Sequence, residues 1–388
     1  MIELVRPDLG DEEIRAVAEV LRSRQLAAGP RVRAFEEAFA AYVGCRYAVA
    51  TSSGTTALHA ALQAIGVGPG DQVVTSPFTF VATANAILYC GAEPVFADID
   101  PATFNLSVES LAEALERHPR IRAVVVVHLF GLPCPMDAIV ELAHRKGVAV
   151  VEDCAQAHGA TWRGRRVGGF GLAGAFSFYA TKNMTTGEGG MVTTDAPEVA
   201  RRLRELVNHG RIGPYEHGSL GYNYRMTDLA AAIGLVQLAR LEKNNERRRA
   251  NAEMLSRGLA GLPWLELPVE PPGARHVYHQ YTVRSPHRDA LQRWLAARGI
   301  QTAVIYPIPL HLQPFYRTLG FEAGLAPWAE RVAGEVLSLP VHPLLRPEEL
   351  QIIIEAVRSF EPPGEAAPAR RASLPAYPAA RRIGRPPA

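Results

Sequence analysis

Short apolar runs alternate with helical patterns over the first half of the chain. Seven such runs predict β-strands at residues 47–50, 72–76, 94–97, 123–128, 148–152, 175–178 and 190–193. Several are continuously β-branched, such as the four valines at positions 124–127, which is typical of strands covered on both faces of a parallel sheet. Between them lie segments of helical periodicity, for example residues 55–65, which Gly66 ends. The alternation predicts an α/β fold with a large, doubly wound, mostly parallel sheet.

The pattern changes in the second half. A long helix is predicted to follow Thr227 or Asp228, either of which could cap it, and to run through residues 229–244. Beyond residue 263 the pattern predicts a strand (279–284), a helix (288–298) and a second strand (301–305), as in a smaller α+β lobe. We therefore expect a large lobe with an N-terminal arm over residues 1–245 and a small lobe over 246–360. The tail at 361–388, rich in Pro, Arg and Ala, is predicted to be disordered.

Charge and cysteine content narrow the class of protein. The formal net charge is +2, and the tail alone carries five Arg against two Glu, so the body is nearly neutral. A nucleic-acid partner would need a basic patch, which is not evident. The four cysteines have no CxxC spacing, which favours reduced, mostly buried thiols in the cytoplasm. The N-terminus lacks a signal-peptide pattern, and no apolar run approaches the roughly 20 residues that span a bilayer, so no membrane partner is expected.

Two strand ends carry candidate chemistry. Residues 51–56, Thr-Ser-Ser-Gly-Thr-Thr, lie between a strand and a helix, where backbone N–H groups can hold a phosphate; simple helix capping is the alternative. Asp153 follows a parallel strand, so its carboxylate should point into the crevice where α/β proteins bind ligands. There it could keep a cofactor's ring nitrogen protonated, or it could cap the next helix.

Lys182 is the most specific signal in the chain. It follows the apolar strand at 175–178 and precedes a glycine-rich turn at 187–190, with few charges nearby. Most lysines are solvated surface residues, but burial in such surroundings would lower the pKa of the amine and free its lone pair for imine chemistry. Ser177, five residues earlier, could reach the same phosphate as the first segment.

Taken together, these motifs resemble one known family. The chain is similar to the DegT/DnrJ/EryC1/StrS sugar aminotransferases, fold-type I enzymes that depend on pyridoxal 5′-phosphate (PLP). The resemblance runs from about residue 10 to 360. It rests on Ser53-Gly54-Thr55, on Glu152-Asp153 with Gln156, on Ser177 with Lys182, and on the segment 221–226, Gly-Tyr-Asn-Tyr-Arg-Met.

The resemblance implies a role for each matched position. Lys182 matches the Schiff-base lysine that also moves the proton, and Asp153 matches the partner of the pyridinium nitrogen. The other implied cofactor contacts are Ser53, Gly54, Thr55 and Ser177 at the phosphate, Gln156 near the phenolic oxygen, Phe80 stacked on the ring, and Asn223 at the phosphate of a neighbouring subunit. The last contact implies a homodimer with its active sites at the interface.

The remaining expectations concern the substrate contacts and the reaction. His158, Arg225, Tyr306 and His311 are candidate substrate contacts, although each could instead pack or pair within the protein, and no metal ligands are expected. Some relatives carry His in place of the lysine and are dehydratases, so Lys182 favours transamination. The resemblance implies transfer from L-glutamate to a nucleotide-linked keto sugar, a 4-keto-6-deoxy hexose first. The alternatives are a 3-keto sugar, an inosose, or a non-catalytic PLP-binding regulator. A nucleotide-binding oxidoreductase is disfavoured because GxGxxG is missing after the first strand.

Overall fold

The fold is that of a computed structural model, which describes residues 1–363. Its strands are β1 (Tyr47–Thr51), β2 (Gln72–Thr75), β3 (Glu93–Phe96), β4 (Ile121–Val127), β5 (Ala149–Asp153), β6 (Thr161–Trp162), β7 (Arg165–Arg166), β8 (Ala173–Ser177), β9 (Gly190–Thr194), β10 (Ala274–Arg275), β11 (Tyr281–Arg284) and β12 (Val336–Leu339). Its α-helices are α1 (Asp11–Ser23), α2 (Pro30–Val43), α3 (Gly54–Ala64), α4 (Ala82–Tyr89), α5 (Val108–Arg117), α6 (Met136–Arg145), α7 (Pro197–Leu206), α8 (Asp228–Leu259), α9 (Arg288–Ala296), α10 (Pro314–Thr318), α11 (Pro327–Ala333) and α12 (Pro347–Arg358). The predicted disordered tail lies, beyond residue 363, outside the described residues.

A seven-stranded sheet organises the larger part of the chain, in the order β1-β9-β8-β5-β4-β2-β3. Only β9 runs against its neighbours β1 and β8; the other pairs are parallel. The valines of β4 are fully or almost fully buried, because helices cover both faces of this central strand. All seven strands predicted between residues 47 and 195 are confirmed to within two residues at each end, and so is the α/β fold.

Helix α3 begins directly after β1 because its first turn is capped twice. The Ser53 hydroxyl accepts the N–H of Thr56 (3.2 Å), and the Thr56 hydroxyl accepts the N–H of Ser53 (3.0 Å). Such reciprocal capping satisfies donors that the helix itself leaves unpaired. The apolar face of α3, including Leu58 and Leu62, is buried in the core under the sheet. The start of α3 is thereby held at the carboxyl edge of β1.

The two candidate caps of the long helix α8 turn out to serve different helices. The Thr227 hydroxyl accepts the N–H of Ala230 (3.2 Å) and caps α8 itself. Asp228 accepts the N–H groups of Gly29 and Val32 (both 2.9 Å), so it caps the start of α2. Thr227 is therefore confirmed as the cap of α8, and the alternative cap, Asp228, is wrong for α8 because tertiary structure engages it at α2.

Helix α8 also joins two hydrophobic cores, since it continues beyond the predicted residue 244 to Leu259. Its last turns place Ala252, Leu255 and Leu259 in a second core, shared with β11, β12, α9 and α12. The division at residue 245 stays a prediction, because one continuous helix passes from the first core to the second.

One predicted strand is wrong. Strand β11 pairs antiparallel with β12, which sequence reasoning missed, and not with residues 301–305. In that segment only Ala303 forms an antiparallel bridge, exchanging two backbone hydrogen bonds with Ser338 (3.3 and 2.8 Å). Pro307 and Pro309 follow closely, and prolines have no N–H with which to extend a ladder.

The cysteines and the helices can be compared with two expectations from the sequence, reduced buried thiols and no membrane-spanning segment. All four cysteines are free; Cys90, Cys134 and Cys154 are buried and Cys45 is partly buried, as predicted. Within residues 1–363, no helix combines the length and the apolar character that crossing a bilayer requires.

Candidate active site

A cavity of about 530 Å³ opens at the carboxyl edge of the large sheet. Strands β1, β2, β5 and β8 all end there, as expected for ligand sites of α/β sheets. Nine of the predicted site residues line it: Ser53, Gly54, Thr55, Phe80, Asp153, Gln156, Ser177, Lys182 and Tyr306. Residues separated by up to 253 positions in sequence are thus brought together in one cavity.

One end of the cavity is suited to a phosphate. The first intrahelical bond of α3 is donated by Ala57 to Ser53, so the amides of Gly54 and Thr55 precede it and can donate to an anion. Ser177, at the end of β8, contributes a hydroxyl from a second strand, which β9 separates from β1. A Cβ on Gly54 would lie 2.5 Å from the Cβ of Ser177, so only glycine lets these two elements approach so closely.

The Asp153 carboxylate lies deeper in the cavity and is 5% exposed. One oxygen accepts the N–H of Ala155 (3.1 Å) and the other accepts the hydroxyl of Thr83 (2.8 Å). Burial raises the pKa of Asp153, whereas the two hydrogen bonds and the positive charge of Lys182 oppose the rise. A cationic ring nitrogen placed beside this carboxylate would add to the opposing effects and favour the ionised form.

Lys182 lines the same cavity as Asp153. Its backbone N–H donates to Tyr179 (2.9 Å), which closes the turn after β8. Burial lowers the pKa of the Lys182 amine, and the Asp153 charge partly restores it. A lowered pKa makes the neutral, nucleophilic amine easier to reach, as the sequence pattern predicted.

Glu152, the neighbour of Asp153 on β5, points to the opposite face of the sheet. Its carboxylate accepts three backbone N–H groups, from Gly168, Phe170 and Gly171, at 2.7–2.8 Å, and lies 3.1 Å from His128 Nε2. The ligand atoms of His128, Glu152 and Cys154 lie within 4.8 Å of one another, which is close enough for them to share a metal ion. The three backbone donors already occupy Glu152, however, and the N–H of Cys134 occupies His128 Nδ1, which indicates a structural network.

The wall of the cavity opposite the sheet includes Tyr306. Gln156 accepts the N–H of Phe130 through Oε1 (2.7 Å), which orients its amide so that Nε2 donates to the Tyr306 hydroxyl (3.0 Å). The Tyr306 ring lies 6.3 Å, between centroids, from that of Phe80, which is 56% exposed at the mouth. Gln156 and Phe80 therefore both line the cavity, and the cofactor contacts that the resemblance implies for them stay predictions.

His279 is a cavity residue that sequence reasoning missed. Asn183 donates through its amide nitrogen to Asn245 (2.9 Å) and to the carbonyl of Val277 (3.1 Å), so its oxygen must be the acceptor facing His279 Nδ1 (3.1 Å). Nδ1 then carries the proton, and Nε2 remains an acceptor on a ring that lines the cavity. Burial and the charges of Lys182 and Arg248 lower the pKa of His279 and keep it neutral. Thr79 and Thr83, which also line the cavity, were missed as well.

Four predicted site residues lie elsewhere. His158 is fully buried and packs between Phe176 and Phe178, with ring centroids 5.6 and 5.7 Å away. His311 is fully buried 3.0 Å from Glu330. Neither ring lines the cavity, so both predicted substrate contacts are corrected: His158 packs in the core and His311 pairs with Glu330. Tyr179 lines the cavity. Asn183 does not line it, and instead accepts a hydrogen bond from His279, which does.

Arg225 and Asn223 lie in the segment before α8. Arg225 donates to Asn208 (2.7 Å) and lines a separate surface pocket with Arg33 and Arg204, so its predicted substrate contact is absent from this cavity. Asn223 is exposed and pairs through its backbone with Asn208. Its predicted contact with a neighbouring subunit stays a prediction.

Comparison with known proteins identifies the family. The model of the DegT/DnrJ/EryC1/StrS aminotransferase family matches residues 7–358. The chain belongs to this family. It is accordingly a PLP-dependent aminotransferase of fold-type I. The cavity fits that cofactor, because it offers an anion site at α3, a carboxylate at Asp153 and a partly desolvated amine at Lys182.

Several relatives cover nearly the whole chain. The dTDP-3-amino-3,4,6-trideoxy-α-D-glucose transaminase of Streptomyces venezuelae is 44% identical over 91% of this chain and 93% of its own length. The UDP-N-acetyl-3-dehydro-α-D-glucosamine 3-aminotransferase of Acidithiobacillus ferrooxidans is 41% identical over 90% and 94%. A pleiotropic regulatory protein of Geobacillus stearothermophilus is 43% identical over 91% and 95%.

Solved structures agree with this assignment. The crystal structure of DesV from S. venezuelae, in complex with a ketimine intermediate, superposes with a TM-score of 0.87 at 44% identity, covering 89% of this chain and 93% of that one. Spr1654 of Streptococcus pneumoniae in its PLP form has a TM-score of 0.87 at 30% identity, over 92% and 97%.

Proposed function

We propose that this enzyme transfers an amino group from L-glutamate to the keto carbon of a nucleotide-linked sugar. One observation carries the proposal: the Lys182 amine, the Asp153 carboxylate and the anion site of α3 line a single cavity. An amine and an acid on the same cavity are what amino transfer through PLP requires.

Each part of the cavity has a distinct task. When bound, PLP supplies the electron sink that stabilises negative charge on the substrate carbon. The Gly54 and Thr55 amides and the Ser177 hydroxyl would hold its phosphate. The Asp153 carboxylate would meet its ring nitrogen. The Lys182 amine, with its pKa lowered by burial, moves the proton at the substrate carbon.

The mouth of the cavity is where the two substrates enter in turn. Phe80 and Tyr306 form its rim, next to a further groove of about 850 Å³ that shares both residues with the catalytic cavity. This neighbouring groove offers room for a substrate much larger than glutamate, such as a nucleotide-linked sugar. The two transferase relatives are named for amination at the third sugar carbon. Their names favour the 3-keto alternative over the 4-keto-6-deoxy hexose expected from the sequence.

The test has two stages. L-Glutamate is first added to the PLP-loaded enzyme without acceptor, while the absorbance spectrum and the release of 2-oxoglutarate are followed. We expect stoichiometric 2-oxoglutarate and conversion of the cofactor to its amino form. The aminated enzyme is then offered dTDP- and UDP-linked 3-keto and 4-keto sugars and an inosose. Return of the original spectrum with only one of these identifies the acceptor, and no return with any sugar would contradict the proposal.

A PLP-binding regulator is the second candidate, because one relative carries the name of a regulatory protein. A regulator would bind PLP but leave the spectrum unchanged with glutamate. The first stage of the same experiment therefore separates the two functions.

We further propose that the active unit is a homodimer in the cytoplasm, with Asn223 at the partner's cofactor phosphate. In support, Asn223 is exposed in the single chain, and Ile212, Tyr215 and Leu220 in the preceding loop are also exposed, Tyr215 by 95%. Mixing inactive Lys182→Ala chains with inactive Asn223→Asp chains tests this. Heterodimers should regain activity at one site, because one of the two sites then contains neither substitution. No regain in demonstrated heterodimers would contradict the shared site.

A further inference from the structure

Two threonine hydroxyls lie in line behind the Asp153 carboxylate. The Thr79 hydroxyl is 3.1 Å from that of Thr83, which is 2.8 Å from an oxygen of Asp153. Thr79 belongs to the segment between β2 and α4, and Thr83 lies in the first turn of α4. Both side chains are buried, with 3% and 1% exposure, so water competes little for these bonds.

The direction of this hydroxyl chain follows from donor counting. An ionised carboxylate only accepts hydrogen bonds, and a hydroxyl carries a single proton. Thr83 must therefore donate its proton to Asp153. Its oxygen can then only accept from Thr79, so the chain runs from Thr79 through Thr83 to Asp153.

The arrangement leaves the carboxylate anchored on both oxygens. The N–H of Ala155 occupies a lone pair of one oxygen (3.1 Å) and Thr83 occupies one of the other. Each oxygen keeps a further lone pair, and the carboxylate lines the cavity. The two donors, Ala155 just after β5 and Thr83 in α4, thus fix the plane of the carboxylate. One of the remaining lone pairs can then accept a hydrogen bond from a cationic nitrogen.

We infer that Thr79 and Thr83 are positioning residues for the cofactor's ring nitrogen: their directed hydroxyl chain keeps Asp153 ionised and oriented, and so keeps that nitrogen protonated. The inference rests on the proposed pairing of Asp153 with the ring nitrogen. Hydrogen bonds to a charged acceptor are stronger than neutral ones, and the upstream Thr79 bond polarises the downstream one. Thr83 should therefore matter more than Thr79.

The test uses the full-length holoenzyme loaded with PLP labelled with nitrogen-15 in the ring, whose chemical shift reports protonation. Thr83→Val keeps the side-chain shape but removes the donor, and we expect its resonance to move towards that of the neutral ring. We expect its glutamate half-reaction to slow about tenfold, the usual loss for one bond to a charged group. Thr83→Ser, which keeps the hydroxyl, should restore the resonance and the rate. Thr79→Val should shift the resonance in the same direction by less.

Two further variants make the result decisive. Thr75→Val removes another buried threonine hydroxyl, which donates to Val125 (3.0 Å) in the same sheet, and it should leave the resonance unchanged. Asp153→Asn should shift the resonance most. An Asp153→Asn shift without any Thr83→Val shift overturns the hydroxyl chain alone, whereas no shift in Asp153→Asn overturns the pairing as well. If Thr83→Val does not fold, an unshifted Thr79→Val overturns the inference and a shifted one supports it.

Discussion

The two walls of the cavity differ in how they are built. The sheet wall comes from short segments at strand ends: Gly54 lies three residues after β1, Asp153 ends β5 and Ser177 ends β8. The opposite wall comes from His279, Gln280, Ile305 and Tyr306, which lie outside the large sheet. Among the described lining residues, the charged ones, Asp153, Lys182 and Glu188, all belong to the sheet wall and its adjoining turn, whereas the opposite wall is neutral. We conclude that local sequence provides the chemistry and long-range packing provides the shape.

Loss of Lys182 should have the largest effect, because it removes the catalytic amine of the sheet wall. We expect Lys182→Ala to lower turnover at least about 10⁴-fold, since proton transfer and nucleophilic attack are lost together. Steady-state assays with glutamate and the acceptor sugar measure this. Lys146→Ala, on the exposed C-terminal side of α6, is the control and should leave turnover unchanged. Substantial activity in Lys182→Ala would remove the proposed mechanism.

Gly54→Ala should have the next largest effect, on cofactor binding. The added Cβ would come within 2.5 Å of Ser177 Cβ, so either α3 or β8 must shift at the phosphate site. We expect the PLP dissociation constant to rise about 10- to 100-fold, the loss of one bond to a charged group. Equilibrium dialysis measures it. Gly10→Ala is the matched control, because its Cβ would meet no atom within 4 Å. Equal PLP affinity in both variants would show that α3 does not hold the phosphate.

Tyr306→Phe should have the smallest effect, because it alters only the opposite wall. The ring next to Phe80 remains, but Gln156 loses its hydroxyl partner. We expect KM for the acceptor sugar to rise about fivefold, the scale of one neutral hydrogen bond, with the glutamate half-reaction within about twofold of normal. Tyr281→Phe removes a buried hydroxyl bonded to Ser256 (2.9 Å) in the second core, and should change neither. A larger effect on the glutamate step than on KM would assign Tyr306 to the chemistry.

The difference between the walls also explains what sequence reasoning could reach. Alternating periodicities predicted all seven strands of the large sheet, and parallel strands bring their carboxyl ends together, so Gly54, Asp153 and Ser177 could be grouped in advance. Lys182 stood out through its apolar surroundings. Each of these signals depends on residues close together in sequence, so it can be recognised without the structure.

The opposite wall has no comparable signal. His279 meets Asn183 across 96 positions, and Tyr306 meets Gln156 across 150. The neutral tautomer of His279 depends on the side-chain amide of Asn183, which Asn245 on α8 orients. For the same reason β12 was missed and residues 301–305 were assigned to a strand, because strand pairing across about fifty residues depends on packing. His158 and His311 were predicted as contacts because they lie in segments that resemble the family's, and such a resemblance does not reveal which side chains are buried.

The central claim is that the amine of Lys182 holds the cofactor opposite Asp153. The sequence contains only three lysines, and the other two, Lys146 and Lys243, are exposed. Reducing the PLP-loaded enzyme with borohydride makes the cofactor linkage permanent, and peptide mass mapping then locates it. The account predicts one cofactor per chain, on the peptide that contains Lys182, and none after the Lys182→Ala substitution. Cofactor attached to Lys146, to Lys243 or to no lysine would contradict it.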